Sequence, residues 1–211
     1  MAQLAVPDLR PSTPGQRNVC WQDGLIDRET RRERLGQSGA TVWFTGFSGS
    51  GKSTIAAAVE ERLVGEGRWA YRLDGDNLRH GVCADLGFSA SDRSENARRV
   101  AELALLFADA GAVALVCLVS PYAQDRLAAR ERHEAAGLRF VEVFVNTSIE
   151  ECARRDVKGL YAKARGGALS NLTGVGSPYE PPPAPDVELT EALDVSAAAA
   201  RVLRALPPLG A

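Results

Sequence analysis

Contiguous apolar runs alternate along this chain with segments in which apolar positions recur every three or four residues. That alternation marks strands buried on both faces and separated by amphipathic helices. Val42, Trp43 and Phe44 open the series, Trp69 to Leu73, Ala112 to Val119 and Phe140 to Val145 continue it, and Val187 to Leu189 forms a short last strand. Helices are predicted from Lys52 to about Val64, from about Ser91 to Ala110, and over Asp125 to Ala136, Ile149 to Arg155 and Val195 to Leu206. The helix ending near Ala110 places Val100, Leu103, Leu106 and Phe107 on one face. Asp27 to Leu35 reads as a short, highly charged helix whose Glu and Arg side chains pair three or four apart on a solvated surface. Strands and helices in alternation predict one α/β domain with a mostly parallel central sheet between helix layers. The proline-bearing residues 1–18 read as a flexible arm before a single domain over 19–211.

The first strand runs directly into Gly46-Phe47-Ser48-Gly49-Ser50-Gly51-Lys52-Ser53, which fits the G-x-x-x-x-G-K-[ST] phosphate loop. Its glycines let successive backbone N–H groups converge on an anion, and the following helix adds its N-terminal partial charge. Lys52 is placed to meet the outer phosphates, and the Ser53 hydroxyl to meet Mg²⁺. The candidate ATP-binding set is Gly46, Ser48, Gly49, Ser50, Gly51, Lys52, Ser53 and Thr54. With this loop the expected fold class is a three-layer P-loop NTPase or nucleotide-kinase-like fold.

The second strand feeds Asp74-Gly75-Asp76-Asn77-Leu78-Arg79-His80-Gly81. Taken alone this is a polar turn of the residues that favour turns. At the same sheet edge as a phosphate loop, its carboxylates can orient the waters of Mg²⁺ or accept a substrate proton. The strand ending in Ser120-Pro121-Tyr122 lacks the terminal Asp of the usual second nucleotide-binding motif, which directs metal and base work to Asp74 and Asp76. Arg93, Asn96, Arg98 and Arg99 fall in the first two turns of a helix, where cations oppose the dipole, so an anionic ligand is expected there. Asp156 to Gly167 is basic and glycine-punctuated. That composition suits a mobile lid, about 154–176, closing over phosphates, in preference to a merely solvated helix and loop.

Charge and composition then remove whole classes of function. With 25 basic against 27 acidic side chains, no broad basic field is available for nucleic acid or a membrane surface. The apolar runs fall short of the ~18 residues a bilayer demands, and no secretory pattern opens the chain, so a cytoplasmic protein is expected. Cys20, Cys83, Cys117 and Cys152 lack zinc or disulfide spacing and read as ordinary thiols. His80 and His133 are too few for a His-based metal site and read as surface or turn residues.

The ordered set of blocks resembles adenylylsulfate (APS) kinase, which phosphorylates APS on its ribose 3′-hydroxyl to give PAPS. It comprises the loop at Gly46 to Ser53, Asp-Gly-Asp-Asn-Leu-Arg-His-Gly, Gly-Phe-Ser with Asp-Arg and Asn-Ala-Arg-Arg, Val-Ser-Pro-Tyr, and Lys-Gly-Leu-Tyr with Ser-Pro-Tyr-Glu-Pro, covering nearly all the chain from Val19 onward. The resemblance implies that Asp74 is the general base and, with Ser53, the metal organiser, and that Lys52 and Lys158 act beside it. It implies an APS site of Asp76, Asn77, Arg79, Phe88, Arg93, Asn96, Val119, Ser120, Lys158, Asn171 and Leu172, with Phe88 stacking on adenine, and it adds Arg154 to the ATP set. It further implies Mg²⁺ with ATP as donor, a homodimer, and association with an ATP sulfurylase. Some members have been proposed to carry a phosphoryl group on the serine that is Ser120 here; direct in-line transfer is the expectation. The chain departs from the family pattern at Leu172, where a second aromatic is common, and at Val157, where a proline is usual. Gly24 and Ala70 occupy the positions of the plant enzymes' regulatory cysteine pair.

Overall fold

The computed structural model describes residue 22 and residues 24–206, so the expected arm at 1–18 and Cys20 lie outside the described residues. Among those residues five strands form a single all-parallel sheet: β1 (Ala40–Thr45), β2 (Ala70–Asp74), β3 (Val113–Cys117), β4 (Arg139–Asn146) and β5 (Val187–Thr190), in the order β2-β3-β1-β4-β5. Every residue of β1 and β3 is buried, as continuous apolar runs in the middle of a parallel sheet require. The β3 run ends at Cys117, short of its apolar stretch: the Leu118 N–H still reaches the Phe44 carbonyl (3.2 Å), but Ser120, with a φ of 36°, breaks the extended chain.

Alternate β1 side chains feed the two helix layers. Val42 and Phe44 pack with Ile55, Val59 and Leu63 of α2 (Lys52–Gly65) and with Ala199 and Val202 of α8 (Val195–Leu203). Trp43 faces the other way, against Val100, Ala101 and Ala104 of α4 (Ala90–Asp109) and Ala129 of α5 (Ala123–Ala135). Removing an aromatic of this kind from a sealed core costs about 3–5 kcal/mol. The charged helix α1 (Arg28–Leu35) buries none of its residues and is tied down by Arg28, which donates to Asp109 (2.7 Å) and to the Ala136 carbonyl (2.6 Å).

Several local expectations are corrected. Helix α4 starts at Ala90, one residue before Ser91: Ser89 is the N-cap, and its hydroxyl and the Asp92 carboxylate form a reciprocal capping box. Helix α8 stops at Leu203 and α5 begins at Ala123. His133 is fully buried rather than a surface or turn residue, with Nε2 2.9 Å from Thr41 Oγ1 and Nδ1 2.7 Å from the Ala129 carbonyl. Burial lowers its pKa to about 4, so the ring is neutral and serves as packing and hydrogen bonding. Among the described residues no helix is long and apolar enough to cross a membrane.

Candidate active site

The carboxyl ends of β1, β2 and β3 open onto one cleft of about 510 Å³, where an open α/β sheet reverses its strand order. Its floor is the phosphate loop between β1 and α2. Gly46 has a φ of 146° and passes so close to β4 that a Cβ would lie 2.6 Å from the Val145 carbonyl oxygen. Gly51, the residue before the first turn of α2, has a φ of 106°, a conformation side chains avoid. Two contacts brace the loop from outside: Thr147 Oγ1 donates to the Ser50 carbonyl (2.9 Å) and the Tyr161 hydroxyl to that of Ser48 (2.8 Å). Lys52 folds back on the loop, donating to the carbonyls of Gly46 (2.8 Å) and Phe47 (2.6 Å) and to Ser50 Oγ (3.3 Å). Burial lowers its pKa to about 8.

Asp74 ends β2 and joins the loop to the rest of the cleft. Its Oδ2 accepts from Ser53 Oγ at 2.6 Å, and its Oδ1 accepts from the Asp76 backbone N–H at 3.1 Å, capping the short helix α3 (Gly75–Leu78). Among the described residues no group of three or more His, Cys, Asp or Glu could hold a metal. Mg²⁺ needs none: it keeps several waters and takes one or two protein oxygens plus substrate phosphates, and the Ser53 hydroxyl beside the Asp74 carboxylate is such a pair.

The far wall is built by α4 and the loop before it. Phe88 is half exposed, with the Arg79 guanidinium 4.3 Å and that of Arg93 5.6 Å from its ring centre. Arg79 Nη1 donates to the carbonyls of Leu86 (3.0 Å) and Gly87 (2.9 Å), and Arg93 donates to those of Phe88 (3.1 Å) and Asn171 (2.7 Å). Asn96 lines the same wall, buried, with its Nδ2 unpartnered. Lys158 reaches in from the segment after α6 (Ile149–Arg155) and ion-pairs with Asp76. Leu172 lines the cleft while packing with Cys152 and Tyr161. Val119 and Ser120 close the side nearest β3. Ser120 holds a φ of 36°, which costs a non-glycine residue about 1–3 kcal/mol. Its Oγ is buried and accepts from Trp43 Nε1 at 3.0 Å.

The cleft therefore gathers Ser48, Gly49, Gly51, Lys52, Ser53 and Thr54 with Asp74, Asp76, Arg79, Phe88, Arg93 and Asn96, and with Val119, Ser120, Lys158, Asn171 and Leu172. Gly46 and Ser50 belong to the loop but not to the cleft lining, and act as acceptors for Lys52. Asn77 is exposed outside the cleft. Arg154 lines a separate hollow of about 660 Å³ with Ile149, Tyr161 and Arg165, paired with Glu151 at 2.6 Å. The anion expected at the start of α4 concerns Arg93 alone: Arg98 and Arg99 turn away to Glu95, and Arg99 also to Asp85, so carboxylates of the chain satisfy them. Pro121, Leu118 and Thr173 also line the cleft and were not anticipated. The spacing of Arg126, Ala129 and His133, all buried on one face of α5, was the signal that Arg126 points inward.

Comparison with known proteins agrees with this geometry. Residues 38–190 match the model of the family described as adenylylsulphate kinase. An adenylyl-sulfate kinase of Clostridium acetobutylicum is 51% identical over 170 residues, covering 81% of this chain and 84% of the relative. The bifunctional enzyme CysN/CysC of Mycobacterium tuberculosis is 49% identical over 189 residues, 90% of this chain and 30% of that one. The structure of the Mycobacterium tuberculosis APS kinase CysC in complex with AMPPNP and APS superposes with a TM-score of 0.79 at 51% identity, over 80% of this chain and 98% of the other. A phosphate loop, an Asp-bearing neighbouring strand and an arginine-flanked aromatic, joined in one cleft, thus belong to a recognised lineage: this chain is a member of the adenylylsulphate kinase family.

Proposed function

We propose that this chain transfers the γ-phosphoryl group of ATP to the 3′-hydroxyl of adenosine 5′-phosphosulfate, giving PAPS and ADP. The observation that carries the reading is the Ser53–Asp74 hydrogen bond of 2.6 Å, which sets the one carboxylate at the end of β2 against the phosphate loop and inside the cleft that also holds Phe88, Arg79 and Arg93. ATP phosphates lie on the backbone N–H groups of residues 48–54 and the α2 N-terminus. Lys52 exchanges its loop carbonyls for phosphate oxygens. Ser53 and Asp74 would hold Mg²⁺, which would neutralise charge on the outer phosphates. The Asp74 carboxylate accepts the acceptor hydroxyl's proton as transfer proceeds in line.

On the acceptor side Arg79, Arg93 and Asn96 hold the sulfate and phosphate oxygens, and Phe88 takes one face of the adenine with Leu172 opposite. Guanidinium forks suit these anions, so lysine is a poor replacement at Arg79. The segment 154–176 acts as the lid, with Lys158 moving from Asp76 to the phosphates as water is excluded. The ATP base extends toward the hollow at Arg154, next to Tyr161, whose hydroxyl reaches the Ser48 carbonyl. Ser120 serves as pocket wall, since its Oγ is occupied by Trp43. By family resemblance the enzyme is cytoplasmic and homodimeric over a single domain, with an ATP sulfurylase as neighbour in sulfate activation. A coupled ADP-release assay tests the reaction: ADP release should depend on APS, and release indifferent to APS, or none, contradicts it.

A further inference from the structure

Three donors converge on Ser120, one of two non-glycine residues with positive φ among the described residues. Trp43 Nε1 donates to its Oγ (3.0 Å), while its carbonyl accepts from Arg126 Nη1 (2.8 Å) and, as the longer branch of a shared bond, from Thr45 Oγ1 (3.4 Å), whose nearer acceptor is the Val119 carbonyl (2.8 Å). Arg126 is almost wholly buried, and its other two donors go elsewhere: Nε to Glu142 Oε1 of β4 (2.8 Å) and Nη2 to the Glu180 carbonyl (2.7 Å). Glu180 returns to the same bend, donating its N–H to the Pro121 carbonyl (2.8 Å) and accepting from the Ala123 N–H (2.7 Å) through Oε2. Its neighbour Tyr179 packs against Phe47 of the phosphate loop, with ring centres 4.9 Å apart and planes tilted by 47°, and its hydroxyl lies 3.0 Å from Thr45 Oγ1. One guanidinium therefore ties the sheet, the cleft wall at 119–121 and the crossing segment that touches the phosphate loop.

We propose that Arg126 is a positioning residue that fixes the left-handed Ser120 bend and so holds the acceptor wall at a set distance from the phosphate loop. The inference rests on reading this cleft as the APS site. A buried ion pair is a weak stability device compared with apolar packing, whereas a planar fork with three fixed donors specifies geometry. Lysine, a single point donor, cannot reproduce it. Small displacements of a substrate wall are amplified in rate and binding.

The test compares wild type with Arg126→Lys and with the double variant Arg126→Met/Glu142→Gln, which leaves no buried charge unpaired. Amide hydrogen exchange without substrates should quicken about 10-fold or more in peptides spanning 116–123, with β1 and β4 unchanged. In steady state, KM for APS should rise about 10-fold or more while KM for ATP stays within about 2-fold. Unchanged exchange at 116–123 in a folded variant, or an unchanged KM for APS, overturns the proposal. Should the double variant not fold, Arg126→Lys carries the same two readouts. If wild type does not turn over APS, the reading of the cleft fails instead, and the exchange result still decides the role of Arg126.

Discussion

Lys52 keeps its ammonium against three loop oxygens, and burial lowers its pKa to about 8. Bound phosphates bring opposite charge and raise that value, so ATP binding at about pH 8.5 should take up a proton. Calorimetry in buffers of different ionisation enthalpy reads this directly; uptake should vanish near pH 6.5, where Lys52 is already charged, and a lack of uptake at the higher pH contradicts the assignment. In the free protein the folded pKa lies below the unfolded 10.5. The unfolded chain then binds more protons between about pH 8 and 10.5, so the Lys52 penalty is complete below that window and relieved as pH rises through it. Asp74→Asn keeps a cap for α3 but loses the proton acceptor, and kcat should fall on the order of 10²- to 10⁴-fold with the fold intact by circular dichroism. Ser120→Ala separates wall from relay. Leaving Trp43 Nε1 unpaired should cost about 1–3 kcal/mol in denaturant titration, while turnover persists; abolished turnover in the folded variant would favour a phosphoserine.

At the scale of elements, the α4 N-terminus presents Phe88 and Arg93, so its cap bears on the site. Ser89→Ala should destabilise by about 1 kcal/mol, lowering Tm by about 2–4 °C in a domain of this size. Helix α5 is anchored by neutral His133, whose folded pKa of about 4 lies below the unfolded 6.5. Stability from this group is complete above the unfolded value and lost as pH falls from 6.5 toward 4, and His133→Gln should flatten that limb of a pH–stability curve. These two helices also show what a sequence hides. Ser89 and Ser91 are both acceptable caps, and the Asp92 box that chooses between them is a matter of side-chain geometry. A histidine or arginine in a helix as charged as α5 reads as solvated until its buried face is known, which concealed His133 and Arg126. By contrast β1, β3 and the contiguous motifs at 46–53 and 74–81 were legible, because continuous burial and loop chemistry leave local signals. The bridge from Glu180 to Pro121 and Ala123 joins residues more than fifty positions apart and leaves no periodic trace.

At the scale of the whole molecule, the donor loop and the acceptor wall are strung along the carboxyl edge of one sheet, and the segment 154–176 crosses between them. Lys158 to Asp76, Tyr161 to Ser48 and Arg93 to Asn171 are the three ties that a closing lid would tighten or exchange. Tryptic cleavage after Lys158, Lys163 or Arg165 should slow when AMPPNP and APS are both present, and equal cleavage with and without them argues against closure. Whether this arrangement joins an ATP loop to an APS site is decided by product analysis after incubation with ATP, Mg²⁺ and APS. Stoichiometric ADP and an APS derivative bearing a new phosphate on the ribose 3′-oxygen are expected; ATP hydrolysis to free phosphate, with APS recovered unchanged, rules the joint site out.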